Sequence, residues 1–467
     1  MRVLPTVSPT PEQLTIIVRQ QPGTILIRGA AGSGKTTTIL LRLRSLTRTW
    51  LNRRERLSIT DPVRILVLTY NKTLRGYIKE LTLQQVSAAA GLDLEISTFA
   101  KWAVNLLGRP LIADDKDCRR TIRRLGSSLS LPPYFLASEV EYAMGRFLSN
   151  DLNNYLTCRR DGRGAFPRVD QNMRQKILND VILPYNDWKA KRGLLDWNDL
   201  AVGLTIKMAT PGYDIIIVDE AQDFSANQIR AIVNQLAEDH SLTFVLDAVQ
   251  RIYPRGFVWK EAGLTIRPNE IFRLKNNYRN TVEIARFALP LLNDIDVEDD
   301  GTLPDFNSCE RRGPVPKVLK GKFSKQMEYI LRYVRREVDL SKESVAFLLP
   351  QGGKWFAEIE KCLQRAGLPY TQITRESEWP RGEENIALST LHSAKGLEFD
   401  HVIIPGLNQE VTLHGTDKGD DQLNMLCRLL AMGIGRARQS VVLGYKPSEA
   451  STLIGYLDPN TFEEIAV

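Results

Sequence analysis

The chain has 467 residues, 43% hydrophobic and 25% charged, a composition of folded globular proteins of about three domains rather than of disordered chains. No run approaches the ~18 uninterrupted apolar residues of a membrane span, and Met1–Thr10 lacks the apolar stretch of a secretory leader. The formal net charge of +7 favours a polyanionic partner such as nucleic acid.

In chain order, a helical pattern at Glu12–Arg19 precedes the apolar run Thr24–Arg28, and a second at Thr36–Leu46 follows it. Further runs rich in Ile, Val and Leu lie at Arg64–Thr69, Tyr213–Val218 and Leu242–Leu246. Near-continuous apolar strands alternating with helices predict a parallel sheet covered on both faces. Residues 103–198 interrupt this pattern with basic helical stretches, read as a mostly helical insertion. Its arginines (Arg119, Arg120, Arg123, Arg124, Arg159, Arg160, Arg163) form either a solvated face or contacts to phosphates. Asn293–Pro316, rich in Asp, Asn, Gly and Pro, reads as a surface linker. New strands are expected at Lys317–Leu319, Val345–Leu349, Ile386–Ser389 and Val402–Ile404, with helices at Lys325–Arg336 and Gly353–Ala366. The division that follows is a first lobe in two parts, 1–102 and 199–294, the insertion 103–198, and a second α/β lobe, 295–467.

Five scattered cysteines (Cys118, Cys158, Cys309, Cys362, Cys427) form no CxxC pair, and four histidines show no HExxH spacing. Neither a zinc site nor a disulfide framework is expected, and a reducing, cytoplasmic setting fits.

Gly29-Ala30-Ala31-Gly32-Ser33-Gly34-Lys35-Thr36, continued by Thr37, matches GxxxxGK[ST] between a predicted strand and a predicted helix. In that setting the pattern is a phosphate-binding loop. Glycines let the backbone curl round phosphates with its N–H groups inward. Lys35 then reaches the β- and γ-phosphates of a nucleoside triphosphate, and Thr36 ligates Mg²⁺. Asp219 and Glu220 follow the run Tyr213–Val218. Open α/β sheets bind ligands at the carboxyl ends of such strands. Asp219 is expected to hold Mg²⁺, and Glu220 to accept a proton from attacking water. Two acids merely capping a helix that starts near Ala221 are the plainer alternative.

The run Asp219-Glu220-Ala221-Gln222-Asp223 resembles motif II of superfamily 1 helicases of the UvrD/Rep type, and other segments follow in that family's order. Thr10-Pro11-Glu12-Gln13 resembles the Q motif, Leu68-Thr69-Tyr70-Asn71-Lys72 motif Ia, and Ser97-Thr98-Phe99 motif Ib. Leu246-Asp247-Ala248-Val249-Gln250-Arg251-Ile252-Tyr253 resembles motif III, and Leu274-Lys275-Asn276-Asn277-Tyr278-Arg279 motif IV. Thr390-Leu391-His392-Ser393-Ala394-Lys395-Gly396-Leu397-Glu398-Phe399-Asp400 is very similar to motif V. Arg428-Leu429-Leu430-Ala431-Met432-Gly433-Ile434-Gly435-Arg436-Ala437-Arg438 resembles motif VI.

The resemblance implies two RecA-like P-loop NTPase lobes, with a helical 1B-type insertion in the first. It implies that Gln13 reads the adenine edge, that Tyr278 stacks on the base, and that Gly396 and Glu398 lie by the nucleotide, Glu398 near the ribose. Arg279 and Arg436 become arginine fingers, and Gln250 a γ-phosphate sensor. Arginines aimed at the equatorial oxygens of a loose phosphoryl-transfer transition state lower its barrier. A single-stranded DNA track needs positive charge and aromatic faces; Tyr70, Asn71, Thr98, Phe99, Tyr253, Phe257, Trp259, Thr390 and His392 are the candidates. Phe257 and Trp259 fit core packing equally well. His392 is read as structural, or as a link between the ATP and DNA sites, rather than as a metal ligand.

The sequence departs from the family at three places. Tyr70 is displaced by one position, with Thr69 where an aromatic is usual. Pro254-Arg255-Gly256-Phe257-Val258-Trp259 replaces the usual segment after motif III, and Gly433-Ile434-Gly435 alters motif VI. Only 111 positions separate Arg279 from Thr390, too few for the family's large helical 2B domain. The resemblance implies an ATP- and Mg²⁺-dependent motor moving 3′-to-5′ on single-stranded or 3′-tailed DNA. The alternatives are an ATP-gated clamp or a partner-dependent motor subunit, for example with a nuclease in repair or phage defence, and a motor acting on RNA.

Overall fold

The computed structural model describes residues 9–29, 32–69, 91–159, 167–210, 212–246, 259–274, 276–293, 309, 311–351, 354–373, 384–394, 397–413 and 421–467. Apolar runs without alternation become strands buried on both faces. The first sheet holds β1 (Gly23–Gly29), β2 (Val63–Thr69), β3 (Leu92–Thr98), β4 (Tyr213–Val218), β5 (Leu236–Leu246) and β6 (Ile271–Leu274). They are ordered β3-β2-β4-β5-β1-β6, and each pair is parallel. Every residue of β4 is buried, as a strand covered by helices on both sides requires.

The second sheet holds β7 (Lys317–Lys320), β8 (Val345–Leu349), β9 (Thr371–Ile373), β10 (Ile386–Thr390), β11 (Phe399–Ile404), β12 (Ala437–Tyr445) and β13 (Glu463–Ala466). Its order is β13-β7-β12-β11-β8-β10-β9, again parallel throughout. The chain is therefore α/β with two parallel sheets, consistent with two RecA-like lobes. Among the described residues no helix is long and apolar enough to cross a membrane.

Between β3 and β4 the chain is helical. The helices Asp115–Leu125 and Pro133–Arg146, the turns Ser149–Leu156, and one long rod, Gln171–Ala190, enclose their own core around Leu136, Val140, Tyr155 and Val181. The rod changes to π-helical winding over Ile177–Ile182. The flanking helices Phe99–Leu106 and Trp197–Leu204 instead bury Trp102, Leu200 and Leu204 in the first lobe. The expected limits of the insertion, 103 and 198, cut through helices whose buried residues belong to the first core.

The expected boundary at 294/295 is also displaced. The helix Val282–Ala288 packs beside the helix Asp421–Ile434, and Phe287 meets Phe462 edge-on at 5.7 Å between ring centroids. The chain therefore crosses to the second lobe within residues 276–281. Most of the expected linker lies outside the described residues, but Cys309 is buried with Val282 and Ala285, so it is not all surface.

Polar side chains join the insertion to the first lobe. Arg146, at the end of its helix, donates from Nε and Nη2 to both oxygens of Glu261, each at 2.8 Å. Arg230 donates to Glu261 O at 2.7 Å and to Arg146 O at 2.8 Å. Asn227 Nδ2 donates to Met144 O at 2.8 Å and to Phe147 O at 2.9 Å. Arg146→Ala leaves the half-buried Glu261 carboxylate without this bidentate partner. The expected loss is ~2–4 kcal/mol of unfolding free energy, checked by denaturant titration against wild type.

Candidate active site

The turn after β1 is built for close approach. Gly32 and Gly34 take φ of +81° and +76°, which side chains other than glycine adopt only under strain. A Cβ on Gly32 would lie 2.0 Å from Asn277 Oδ1, and one on Gly29 2.3 Å from Ser33 Oγ. Lys35 begins the helix Lys35–Arg56 and donates to Gly29 O at 2.8 Å. Ser33 Oγ is buried with no hydrogen-bond partner among the described residues. Ala30 and Ala31 lie outside them.

Gln13 lies against this loop rather than pointing into open space. It completes a capping box with Thr10, whose backbone N–H donates to Gln13 Oε1 at 3.0 Å. Gln13 Nε2 donates to Ser33 O at 3.4 Å and to Gly34 O at 3.5 Å. A network the sequence reading did not anticipate holds this helix down. Arg42, fully buried, donates from Nε to Thr243 Oγ1 at 3.1 Å and from Nη1 to Ile16 O at 2.7 Å. Burial and the nearby Arg19 push its guanidinium down to about 10.

Asp219 and Glu220 follow β4, which lies one strand away from β1. Asp219 N donates to Leu68 O at 2.9 Å, and Asp219 Oδ1 accepts from Glu220 N at 3.0 Å. Glu220 takes φ 54° and ψ 41° and makes no side-chain cap to the short turn Ala221–Asp223. The helix-capping alternative therefore has no hydrogen bond behind it at Glu220. Gln222 Nε2 donates to the Glu220 carboxylate. A buried non-glycine residue in the left-handed region costs about 1–3 kcal/mol, and such strain gathers at functional sites.

Arg279 and Arg436 approach from the other side. Arg436 follows the helix Asp421–Ile434, is 2% exposed, and donates to Leu397 O at 3.5 Å. Arg279 is ion-paired with Glu398 and donates to Gly435 O at 3.4 Å. Burial works to raise the Glu398 carboxyl, but Arg279, Arg438 and Arg436 outweigh it and hold the group below its ordinary range. Tyr278 is half-buried, with its hydroxyl accepting from Asn276 Nδ2 at 2.8 Å.

These pieces meet. Gly32, Ser33, Gly34, Lys35, Thr36, Asp219 and Glu220 from the first lobe line one small pocket with Arg279 and with Arg436 of the second. Two helicase domain families match the sequence. The UvrD/REP helicase N-terminal domain matches residues 10–266, and the UvrD-like helicase C-terminal domain matches residues 373–448. The chain belongs to the UvrD/REP helicase family.

A probable DNA helicase of Mycoplasma pneumoniae is 23% identical over 94% of this chain and 83% of its own length. The ATP-dependent DNA helicase PcrA of Bacillus subtilis is 26% identical over 58% of this chain, and the match takes in 38% of that protein. The exonuclease/helicase subunit RexA of Lactococcus lactis is 31% identical over 24% of this chain and 11% of its own length. UvrD-family membership makes this an ATP-binding, DNA-binding protein of helicase type.

The DNA-track candidates fare differently. Phe99 is 6% exposed, edge-on to Trp102 and Phe224. Trp259 is half-buried, its ring centroid 5.0 Å from that of Phe244 in the core of the first lobe. In this structure both rings make apolar contacts inside the first lobe, the core-packing alternative that the sequence left open at Trp259. Thr98 caps the helix Phe99–Leu106, accepting from Lys101 N at 3.3 Å. Thr390, at the end of β10, donates to Ser393 Oγ at 3.0 Å, and His392 is half-buried two residues on. Tyr70, Asn71, Gln250, Tyr253, Phe257 and Gly396 lie outside the described residues. The insertion arginines Arg119, Arg120, Arg123 and Arg124 are exposed on one helix.

The Arg279–Glu398 pair has a pH signature. A carboxyl held below its unfolded value adds stability above the ordinary carboxylate range and loses it as pH falls through the lowered value. The difference in Tm between wild type and Glu398→Gln is therefore expected to be steady from about pH 6 to 8 and to close below about pH 4, read by thermal melts across that range.

Proposed function

We propose that this UvrD-family chain is a 3′-to-5′ translocase on single-stranded DNA, powered by ATP hydrolysis in the cleft between its sheets. One observation supports it above the rest: Lys35 of the phosphate loop and Arg436 beyond the second lobe's helix line the same pocket. Charge that develops on a transferring phosphoryl group there meets cations from both sides. In this reading Lys35 holds the β- and γ-phosphates. Gly29, Gly32, Ser33 and Gly34 supply the cradle, with Ala30, Ala31 and Thr37 beside it. Glu220 takes the proton of the attacking water. Arg279 and Arg436 bear on the γ-phosphate once Arg279 exchanges Glu398 for it. Gln13, Tyr278, Gly396 and Glu398 contact the nucleoside, and Gln250 senses the γ-phosphate.

Thr36 and Asp219 line one pocket with hard oxygen donors, which suits Mg²⁺ bound with phosphate and water as its remaining ligands. When bound, the ion neutralises phosphate charge. Because Arg436 and Lys35 sit on different lobes, ATP favours the closed cleft and hydrolysis releases it. Thr98, Thr390 and His392 remain as described residues for a nucleic-acid track, with Tyr70, Asn71, Tyr253 and Phe257 as further candidates.

ATPase assays with and without a single-stranded DNA oligonucleotide test the reading. Stimulation by DNA is expected, with Lys35→Ala inactive and Glu220→Gln lowered about 10²- to 10⁴-fold in kcat. Turnover indifferent to DNA and to both changes would sink it.

A second reading is a partner-dependent motor or ATP-gated clamp, for example with a nuclease. The described residues between Arg279 and Thr390 form the helix Val282–Ala288, the turn Leu289–Leu292 and second-lobe elements from β7 to β9, and no 2B-like body is among them. RexA, named as an exonuclease/helicase subunit, shares sequence with a quarter of the chain. A 3′-tailed and a 5′-tailed duplex separate the two readings. Unwinding of the 3′-tailed duplex alone supports the autonomous motor, and strong DNA-stimulated ATPase without unwinding supports the partner-dependent one.

A further inference from the structure

The crossover between lobes carries two buried asparagines that neither the motif reading nor the pocket lining assigns. Asn277 and Asn280 are each 2% exposed. Asn277 Nδ2 donates to Asn280 Oδ1 at 2.9 Å, and Asn277 Oδ1 accepts from Asn280 N at 3.0 Å and Arg279 N at 3.2 Å. On the first-lobe side, Asn277 packs so tightly on Gly32 that a Cβ there would fall 2.0 Å from its Oδ1. Gly32 O accepts from Tyr278 N at 3.0 Å and from Arg279 N at 3.2 Å. On the second-lobe side, Asn280 Nδ2 donates to Gly435 O at 3.2 Å and to Ala437 O at 2.6 Å. Those carbonyls belong to the two residues that flank Arg436.

We propose that Asn280, seated through Asn277 on the phosphate loop, is a positioning residue that sets Arg436 at its distance from Gly32 and Lys35. An amide is suited to this task. Its two N–H bonds grip both carbonyls while its oxygen stays available to Asn277. A carboxylate in its place would face two carbonyl oxygens with no proton to offer. Arg279 leaves the backbone between the two asparagines, so one crossover places both arginines. The proposal rests on Arg436 acting at ATP, and the test separates the two ideas.

The experiment measures DNA-stimulated ATPase of the full chain carrying Asn280→Ala, Arg436→Ala, or both. The expected result is a fall in kcat of about 10- to 100-fold for Asn280→Ala with KM for ATP near wild type. No further fall is expected when Asn280→Ala is added to Arg436→Ala. Equal falls in both backgrounds would mean Asn280 acts independently of Arg436, and would overturn the proposal. Wild-type kcat for Asn280→Ala beside a crippled Arg436→Ala would overturn it too, leaving the motor reading intact. Wild-type activity of Arg436→Ala would remove the motor reading and this proposal together. Should Asn280→Ala lose its cooperative melt, Asn277→Ala cuts the same link on the phosphate-loop side and carries the same comparison.

Discussion

Cations fixed on two separate sheets face a single small space, and most of the architecture serves that placement. Lys35 is held at the end of β1 because an apolar strand drives the glycine turn to the sheet's carboxyl edge. Arg436 is held at the start of β12 because the helix before it is buried against the second sheet. Like charges gathered in a partly desolvated cleft repel one another. The fold meets that cost locally with Glu398, Asp219 and Glu220, and the polyphosphate of the proposed substrate would meet the remainder. The insertion, fastened through Arg146, Arg230 and Asn227, rests on the segments that follow β4 and β5, so it is anchored close to the carboxylates.

Much of the fold was legible because burial on both faces leaves a plain mark. The runs at Thr24–Arg28, Tyr213–Val218 and Val345–Leu349 became strands with bounds within a residue of expectation. Strands missed in the sequence lie largely at sheet edges. β3, half-exposed and broken by Asp93 and Glu95, and β9, three residues long, do not bury enough to imprint an apolar run. The lobe boundary was misplaced because Asp, Gly and Pro composition marks where a chain is wet, whereas Phe287 and Cys309 show where it packs.

The glycine turn after β1 was legible for a different reason: few chemistries require that spacing of Gly, Lys and Thr. Aromatics carry no such restriction. Phe99 and Trp259 satisfy a core as readily as a nucleobase, and only neighbours such as Phe224 and Phe244 decide between them. Asn280 and Arg42 were invisible because an amide or guanidinium signals nothing until its carbonyl partners, distant in sequence, are brought beside it.

Gln13 shows how few of these polar atoms stand idle. Its oxygen already serves the first helix's N-terminus and its nitrogen the carbonyls of Ser33 and Gly34. A purine edge that took up this amide would have to displace those bonds, so its recognition would be an exchange of contacts rather than a plain gain. The same amide bonds the carbonyls of the glycine turn, so a base taken up there would be coupled to the turn that cradles the phosphates in the proposed reading.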